Sequence, residues 1–137
     1  MRVFLDSSAL AKKYIAEHGS ERMMALWRQA EDISLSILCV PEVLFACNRL
    51  RREKKLDDKT YRAIKQVFLH DIEDTNLINV VPAIIEGAVN CLEGGTMRTL
   101  DAIHVASAMF SGSELFVTSD SRQAAGARAM KLQTELV

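Results

Sequence analysis

Short apolar runs of strand character alternate along the chain with longer stretches of helical periodicity, and this alternation narrows the fold more than any other feature. The strand-like runs are Arg2 to Asp6, Ile33 to Leu38, Leu77 to Val81 and Leu115 to Thr118, rich in β-branched and aromatic residues. Between them, apolar residues recur on one helical face. Met23, Leu26, Trp27 and Ala30 do so within Ser20 to Ala30, and Val43, Cys47 and Leu50 after Pro41. Tyr61, Ile64, Phe68 and Ile72 follow a cap at Asp57 or Asp58, and Ile84, Ile85, Ala88, Cys91 and Leu92 follow Pro82. Gly94-Gly95 stops one helix, and Thr99 and Gly112 are expected to cap the two ends of the next. A short helix near Ser7 or Ser8, a last helix over Ser121 to Met130 and an edge strand within Leu132 to Val137 complete the reading. Strands alternating with helices predict an α/β protein, a three-layer α/β/α sandwich around a central, mostly parallel sheet of four to five strands. The chain of 137 residues shows no repeat, linker or low-complexity segment, so one domain over 1–137 is expected.

Four acids stand at corresponding places in this pattern. Asp6 ends the first apolar run, Glu42 follows Pro41, Asp101 opens the run Ala102-Ile103-His104-Val105-Ala106, and Asp120 follows Leu115-Phe116-Val117-Thr118. Each lies at a strand end or in the first turn of a predicted helix, and in a parallel α/β fold such places converge on one crevice. Singly, each has a plain structural role, as a helix cap or as a favourable charge in a first turn. Together they repel one another unless a cation is present. Oxygen ligands suit Mg²⁺ or Mn²⁺, and a metal held by carboxylates suggests phosphodiester or phosphoryl chemistry.

Bulk properties set limits on this chemistry. A formal net charge of −1 excludes a generally basic nucleic-acid coat, so attraction to phosphates must come from local patches. The three cysteines, Cys39, Cys47 and Cys91, match no zinc spacing and read as buried reduced thiols. Asp6, Lys12 and Lys13 interrupt any secretory pattern at the start, and Pro41 and Glu42 break the most apolar region, so a cytoplasmic protein without a membrane span is expected.

In four ordered pieces the chain resembles a PIN domain, most closely the VapC type of bacterial and archaeal toxin. The pieces are Phe4-Leu5-Asp6-Ser7-Ser8-Ala9-Leu10, Pro41-Glu42-Val43-Leu44 with Asn48-Arg49-Leu50, Leu100-Asp101-Ala102-Ile103-His104-Val105-Ala106, and Val117-Thr118-Ser119-Asp120. After Asp120, Ser121-Arg122-Gln123 offers no further acid. The resemblance implies a metal-dependent endoribonuclease with an acidic pocket of Asp6, Glu42, Asp101 and Asp120. It also implies a homodimer and a small antitoxin partner that blocks the site. On this reading Asp6 and Asp101, with Asp120, hold Mg²⁺ or Mn²⁺, Glu42 is an outer ligand or general base, and Ser7 and Thr118 orient carboxylates or waters by hydrogen bonds.

Other residues carry weaker expectations. His104 lies three residues after Asp101 on nearly the same helix face, and a half-buried histidine packing on the sheet is the simpler reading. Arg98 and Arg122 are the expected phosphate contacts on RNA. The basic run Arg49, Arg51, Arg52, Lys54 and Lys55 divides evenly between an RNA guide and a solvated helix face, since Arg51 and Arg52 cannot point the same way. The helices Ser20 to Ala30 and Glu42 to Glu53 offer an apolar patch to an antitoxin segment. Two rivals stay open: a non-catalytic PIN-like module that binds RNA or protein, and an aspartyl-nucleophile phosphatase. The haloacid dehalogenase pattern wants a second Asp where Ser8 stands, and a response-regulator receiver wants an acidic pair where Asp6 stands alone.

Overall fold

The computed structural model describes residues 1–137. Its elements are β1 (Arg2–Leu5), α1 (Ser7–Ala11), α2 (Ser20–Gln29), β2 (Asp32–Ser36), α3 (Cys39–Arg52), α4 (Asp58–Asp71) with a 3₁₀ turn at Ile72–Asp74, and β3 (Asn76–Ile78). Then follow α5 (Pro82–Glu93), α6 (Thr99–Ser111), β4 (Leu115–Thr118), α7 (Ser121–Ala129) and β5 (Thr134–Leu136). The five strands form one sheet in the order β3-β2-β1-β4-β5, and every neighbouring pair is parallel.

Strands β1 and β4 are buried on both faces, which is why they read as unbroken apolar runs. Alternation divides them between two cores. Val3, Leu5, Leu115 and Val117 pack with Ala9, Leu10, Met23, Val43, Cys47 and Phe68 from α1 to α4. Phe4 and Phe116 point the other way, against Ile84, Ala88 and Cys91 of α5, Ala102, Val105 and Ala106 of α6, and Ala127 of α7. Phe4 and Phe116 are cross-strand partners whose rings stack with centroids 5.6 Å apart. The result is the expected α/β/α sandwich. Chain order runs outward from β1 through β2 to β3, then returns to β4 on the other side of β1. The strand order therefore reverses between β1 and β4, where open parallel sheets form a crevice at the strand C-termini.

Several boundaries differ from expectation for local reasons. Strand β2 stops at Ser36 rather than Leu38, because the Leu38 amide turns back to donate to Ser36 Oγ at 3.2 Å. Strand β3 is Asn76–Ile78 rather than Leu77 to Val81, with Val81 serving as the N-cap of α5. Thr99 is the first residue of α6, and Arg98 holds the cap position without a side-chain cap bond. Pro41 lies in the first turn of α3, where its missing N–H costs no helical bond. Gly112 closes α6 in the left-handed conformation, φ 66°, that glycine adopts without strain.

Candidate active site

Asp6 leaves β1 at the point where the strand order reverses. Its amide donates to Val117 O on β4 at 3.0 Å, which continues the ladder by one residue. The carboxylate then turns back to cap α1, accepting from Ala9 N at 2.9 Å. It also accepts from Ser8 Oγ at 2.8 and 2.9 Å and from Thr118 Oγ1 at 2.7 Å. Asp6 is 2% exposed. Burial pushes its pKa above the ordinary carboxyl value of 3.8 despite the hydrogen bonds from Ala9, Thr118 and Ser8 and the charge of His104. Desolvation, and not repulsion between carboxylates, supplies the rise.

Asp120 sits across the crevice, after β4. Its amide donates to Thr118 Oγ1 at 3.0 Å, and its Oδ1 accepts from Arg122 N and Gln123 N at the start of α7. Ser119 N donates to Ser8 Oγ at 3.0 Å, so the β4–α7 turn is tied to the β1–α1 turn. Asp101 approaches from the first turn of α6, in the layer above. One cation joins the two aspartates: Arg98 Nε lies 3.5 Å from Asp101 Oδ2, and Arg98 Nη2 lies 3.6 Å from Asp120 Oδ2. Asp101 Oδ2 is nonetheless buried without a hydrogen bond.

Glu42 reaches the crevice from the first turn of α3. Ser7 Oγ donates to its Oε1 at 2.9 Å, and His104 Nε2 lies 2.6 Å from the same oxygen. Burial works to raise the Glu42 pKa, but the hydrogen bond and charge of His104, joined by Ser7, outweigh it and hold the carboxyl below its ordinary value. His104 does pack on the sheet, edge-on to Phe4 with centroids 6.4 Å apart. It is buried rather than half-buried, and its tie to Glu42 goes beyond the packing role expected of it. A groove of about 640 Å³ opens beside this pair, lined by the apolar Leu38, Pro41, Phe45 and Leu100 together with Ser7, Ser8 and Glu42.

These contacts form two sets: Asp6, Asp120 and Asp101 are joined through Ser8, Thr118 and Arg98, and Glu42 is joined to Ser7 and His104, with the step from Asp6 to Ser7 along α1 placing one set beside the other. Ser7 and Thr118 touch the acids as expected. Ser8 and Gln123 are additions. Ser8, expected only near the start of a short helix, bonds Asp6 and bridges to the β4 turn. Gln123 is 2% exposed and spans Thr118 Oγ1 at 3.4 Å and Asp101 O at 3.5 Å. Its only sequence signal is a polar residue beside Ala124 and Ala127 on the inward face of α7.

The donors facing the crevice are carboxylate and hydroxyl oxygens, which suit a hard divalent cation, and the orphaned Asp101 oxygen is a ready ligand atom. No three acidic, histidine or cysteine side chains form a preassembled cage, so Asp6, Asp101 and Asp120 are not gathered into a chelating trio. An ion such as Mg²⁺ keeps most of its waters and is held through one or two carboxylates, so the oxygen donors present suit it without such a cage.

Most of the basic run on α3 and beyond is occupied by its neighbours. Arg49 and Lys55 pair with Glu53 at 3.3 Å, while Arg51 donates to Asn48 Oδ1 at 2.6 Å and lies over the Tyr61 ring at 4.4 Å. Arg122 is exposed at the start of α7 and forms no ion pair. Of the two helices expected to offer an apolar patch, α3 exposes Phe45, at 60%, while α2 exposes no large apolar side chain. No helix is long and apolar enough to cross a membrane.

The model of the PIN domain matches residues 3–129. The chain belongs to the PIN domain family. Solved structures with the same fold include a toxin–antitoxin complex from Klebsiella pneumoniae, with TM-score 0.70 and 18% identity over 93% of each chain. VapC20 of Mycobacterium tuberculosis, a toxin that cleaves the sarcin-ricin loop, superposes with TM-score 0.69 and 17% identity over 90% of this chain and 93% of its own. VapBC2 of Rickettsia felis, bound to a DNA fragment from its promoter, matches with TM-score 0.70 and 11% identity over 100% and 99%. A search of curated proteins finds no significant sequence match. In this PIN domain Asp6 and Asp120 follow β1 and β4 at the switch point.

Proposed function

We propose that this PIN domain is a Mg²⁺- or Mn²⁺-dependent endoribonuclease and the toxin of a VapBC-type pair. The observation that carries the reading is the pair of contact sets at the crevice between β1 and β4, Asp6, Asp120 and Asp101 in one and Glu42 with Ser7 and His104 beside it, with a buried Asp101 oxygen that takes no hydrogen bond. Asp6 and Asp101 would hold the ion, joined by Asp120 when Arg98 moves aside. When bound, such an ion lowers the pKa of a water and offsets charge on the phosphate oxygens. The remaining tasks fall to the chain's own residues. Ser8 and Thr118 fix the Asp6 carboxylate by hydrogen bonds. Glu42 has Oε1 held by Ser7 and His104 and leaves Oε2 free to accept a proton from an attacking water. Arg98 is 68% exposed and would exchange Asp101 and Asp120 for the scissile phosphate, with Arg122 as a second phosphate contact.

The apolar groove that reaches Glu42 offers an antitoxin segment a seat from which it would cover the site. That solved structures of the same fold include toxin–antitoxin complexes supports this partner, and pairing of two copies is part of the same reading. The test is direct. Single-stranded RNA is incubated with the protein and Mg²⁺ or Mn²⁺, then with chelator, then with Asp6→Asn. Cleavage should need the metal and disappear in the variant. Cleavage indifferent to both would end the assignment, and RNA binding without cleavage would favour the non-catalytic module.

A further inference from the structure

We propose that His104 is a positioning residue that holds the Glu42 carboxylate in its working orientation; this rests on the ribonuclease reading above. The inference starts from an imbalance. His104 is 2% exposed and sits within Ala102-Ile103-His104-Val105-Ala106, a segment otherwise buried and apolar. Its Nδ1 is buried and has no hydrogen-bond partner. A histidine kept for packing alone would be a costly choice there, since a buried unpaired nitrogen carries the full desolvation penalty and an apolar residue carries none. Its polar contacts all run through the other nitrogen, 2.6 Å from Glu42 Oε1 and 3.4 Å from Ser7 Oγ.

The orphaned Nδ1 also fixes the tautomer. With no acceptor at Nδ1, the neutral ring carries its proton on Nε2, and the charged ring carries one there too, so Nε2 donates to Glu42 in either state. Ser7 Oγ donates to the same Oε1 from α1, so two donors on two elements clamp one carboxylate oxygen. The edge contact with Phe4 and the burial of the ring leave the imidazole little freedom to swing. Glu42 is otherwise a flexible side chain in the first turn of α3, partly open to the groove. Held at Oε1, it presents Oε2 in one direction only. Misplacing such a group by a small distance lowers rate without changing how substrate is held.

The experiment compares His104→Leu with His104→Gln on single-stranded RNA in Mn²⁺, with a thermal melt of each variant. Leucine fills the buried volume without a donor, and glutamine returns an N–H near the place of Nε2. His104→Leu should melt at or above the wild-type temperature because the orphaned nitrogen is gone. It should nonetheless lose roughly 10- to 100-fold in kcat, with KM and RNA affinity in chelator unchanged. His104→Gln should recover much of that loss. A folded His104→Leu that cleaves as fast as wild type overturns the inference, and so does a His104→Gln no better than His104→Leu. If His104→Leu melts well below wild type and loses rate through unfolding alone, the histidine is structural and the inference falls. Wild-type protein that leaves RNA intact in Mn²⁺ instead removes the ribonuclease reading, and this role with it.

Discussion

Asp6 caps α1, ties β1 to β4 through Thr118 and occupies the proposed metal site, all with one carboxylate. Its helix-capping role and its functional role are therefore the same geometry, which is why strand-end acids were legible in the sequence while their cost was not. Burial raises the Asp6 pKa above 3.8, so in the metal-free protein the native state binds a proton more tightly than the unfolded chain. Stability then falls as pH rises from 3.8 through the raised folded value, and the penalty persists above it. Asn at this position keeps the cap, because its Oδ1 still accepts from Ala9, and its amide can donate to the Ser8 and Thr118 hydroxyls. Metal-free Asp6→Asn should thus be more stable than wild type near about pH 7, with the advantage shrinking toward about pH 3. Denaturant melts in chelator across that range test it, and a less stable variant at neutral pH would contradict the burial penalty. His104 and Gln123 were harder to read. Both are polar residues on buried faces, and nothing in their spacing distinguishes a side chain that serves a neighbouring carboxylate from one that merely packs.

Among the elements, the strands were visible because burial on both faces leaves β1 and β4 continuously apolar. Their neighbours were blurred where a local hydrogen bond ends an element early, as at Ser36, since such a bond leaves no trace in hydrophobic period. Helix α7 shows a further device hidden from periodicity. It carries Asp120 at its cap and Gln123 in its first turn, and its closeness to Met97 depends on Gly126. A Cβ at Gly126 would lie 2.4 Å from Met97 Cγ and 2.6 Å from its Sδ. The backbone there is helical, so alanine alone would favour the helix by roughly 0.5–1 kcal/mol. Overpacking, at roughly 1–3 kcal/mol, should win. Gly126→Ala is expected to lower stability, and the double variant with Met97→Ala should lose less than the two single losses added together. A denaturation double-mutant cycle measures that coupling. Additive effects would mean that Met97 moves aside freely and that Gly126 does not set the approach of α7.

At the scale of the whole molecule, the order β3-β2-β1-β4-β5 gathers acids from distant parts of a chain whose net charge is only −1. The local crevice is acidic where the protein is nearly neutral, and in the metal-free state Arg98 relieves that imbalance at Asp101 and Asp120. Protein and metal thus compete for the same oxygens. A ligand that binds only the native state stabilises it by an amount that grows with concentration, about 2.7 kcal/mol at a hundredfold excess over Kd. For a chain of 137 residues that is a rise of several degrees in melting temperature. Melts in increasing Mn²⁺ should therefore climb for wild type. Asp101→Asn should leave the metal-free melt intact or slightly raised while the Mn²⁺-dependent rise shrinks, because the variant keeps its place in the first turn of α6 but loses the charge. Arg98→Gln should do the opposite, reaching the same rise at lower Mn²⁺ because the internal competitor is gone. Its metal-free stability should change little, as expected for an ion pair whose arginine is 68% exposed. If Asp101→Asn strongly destabilised the metal-free protein, the carboxylate would be serving the helix rather than an ion. If Arg98→Gln left the Mn²⁺ curve in place, the guanidinium and the metal would not be sharing a site.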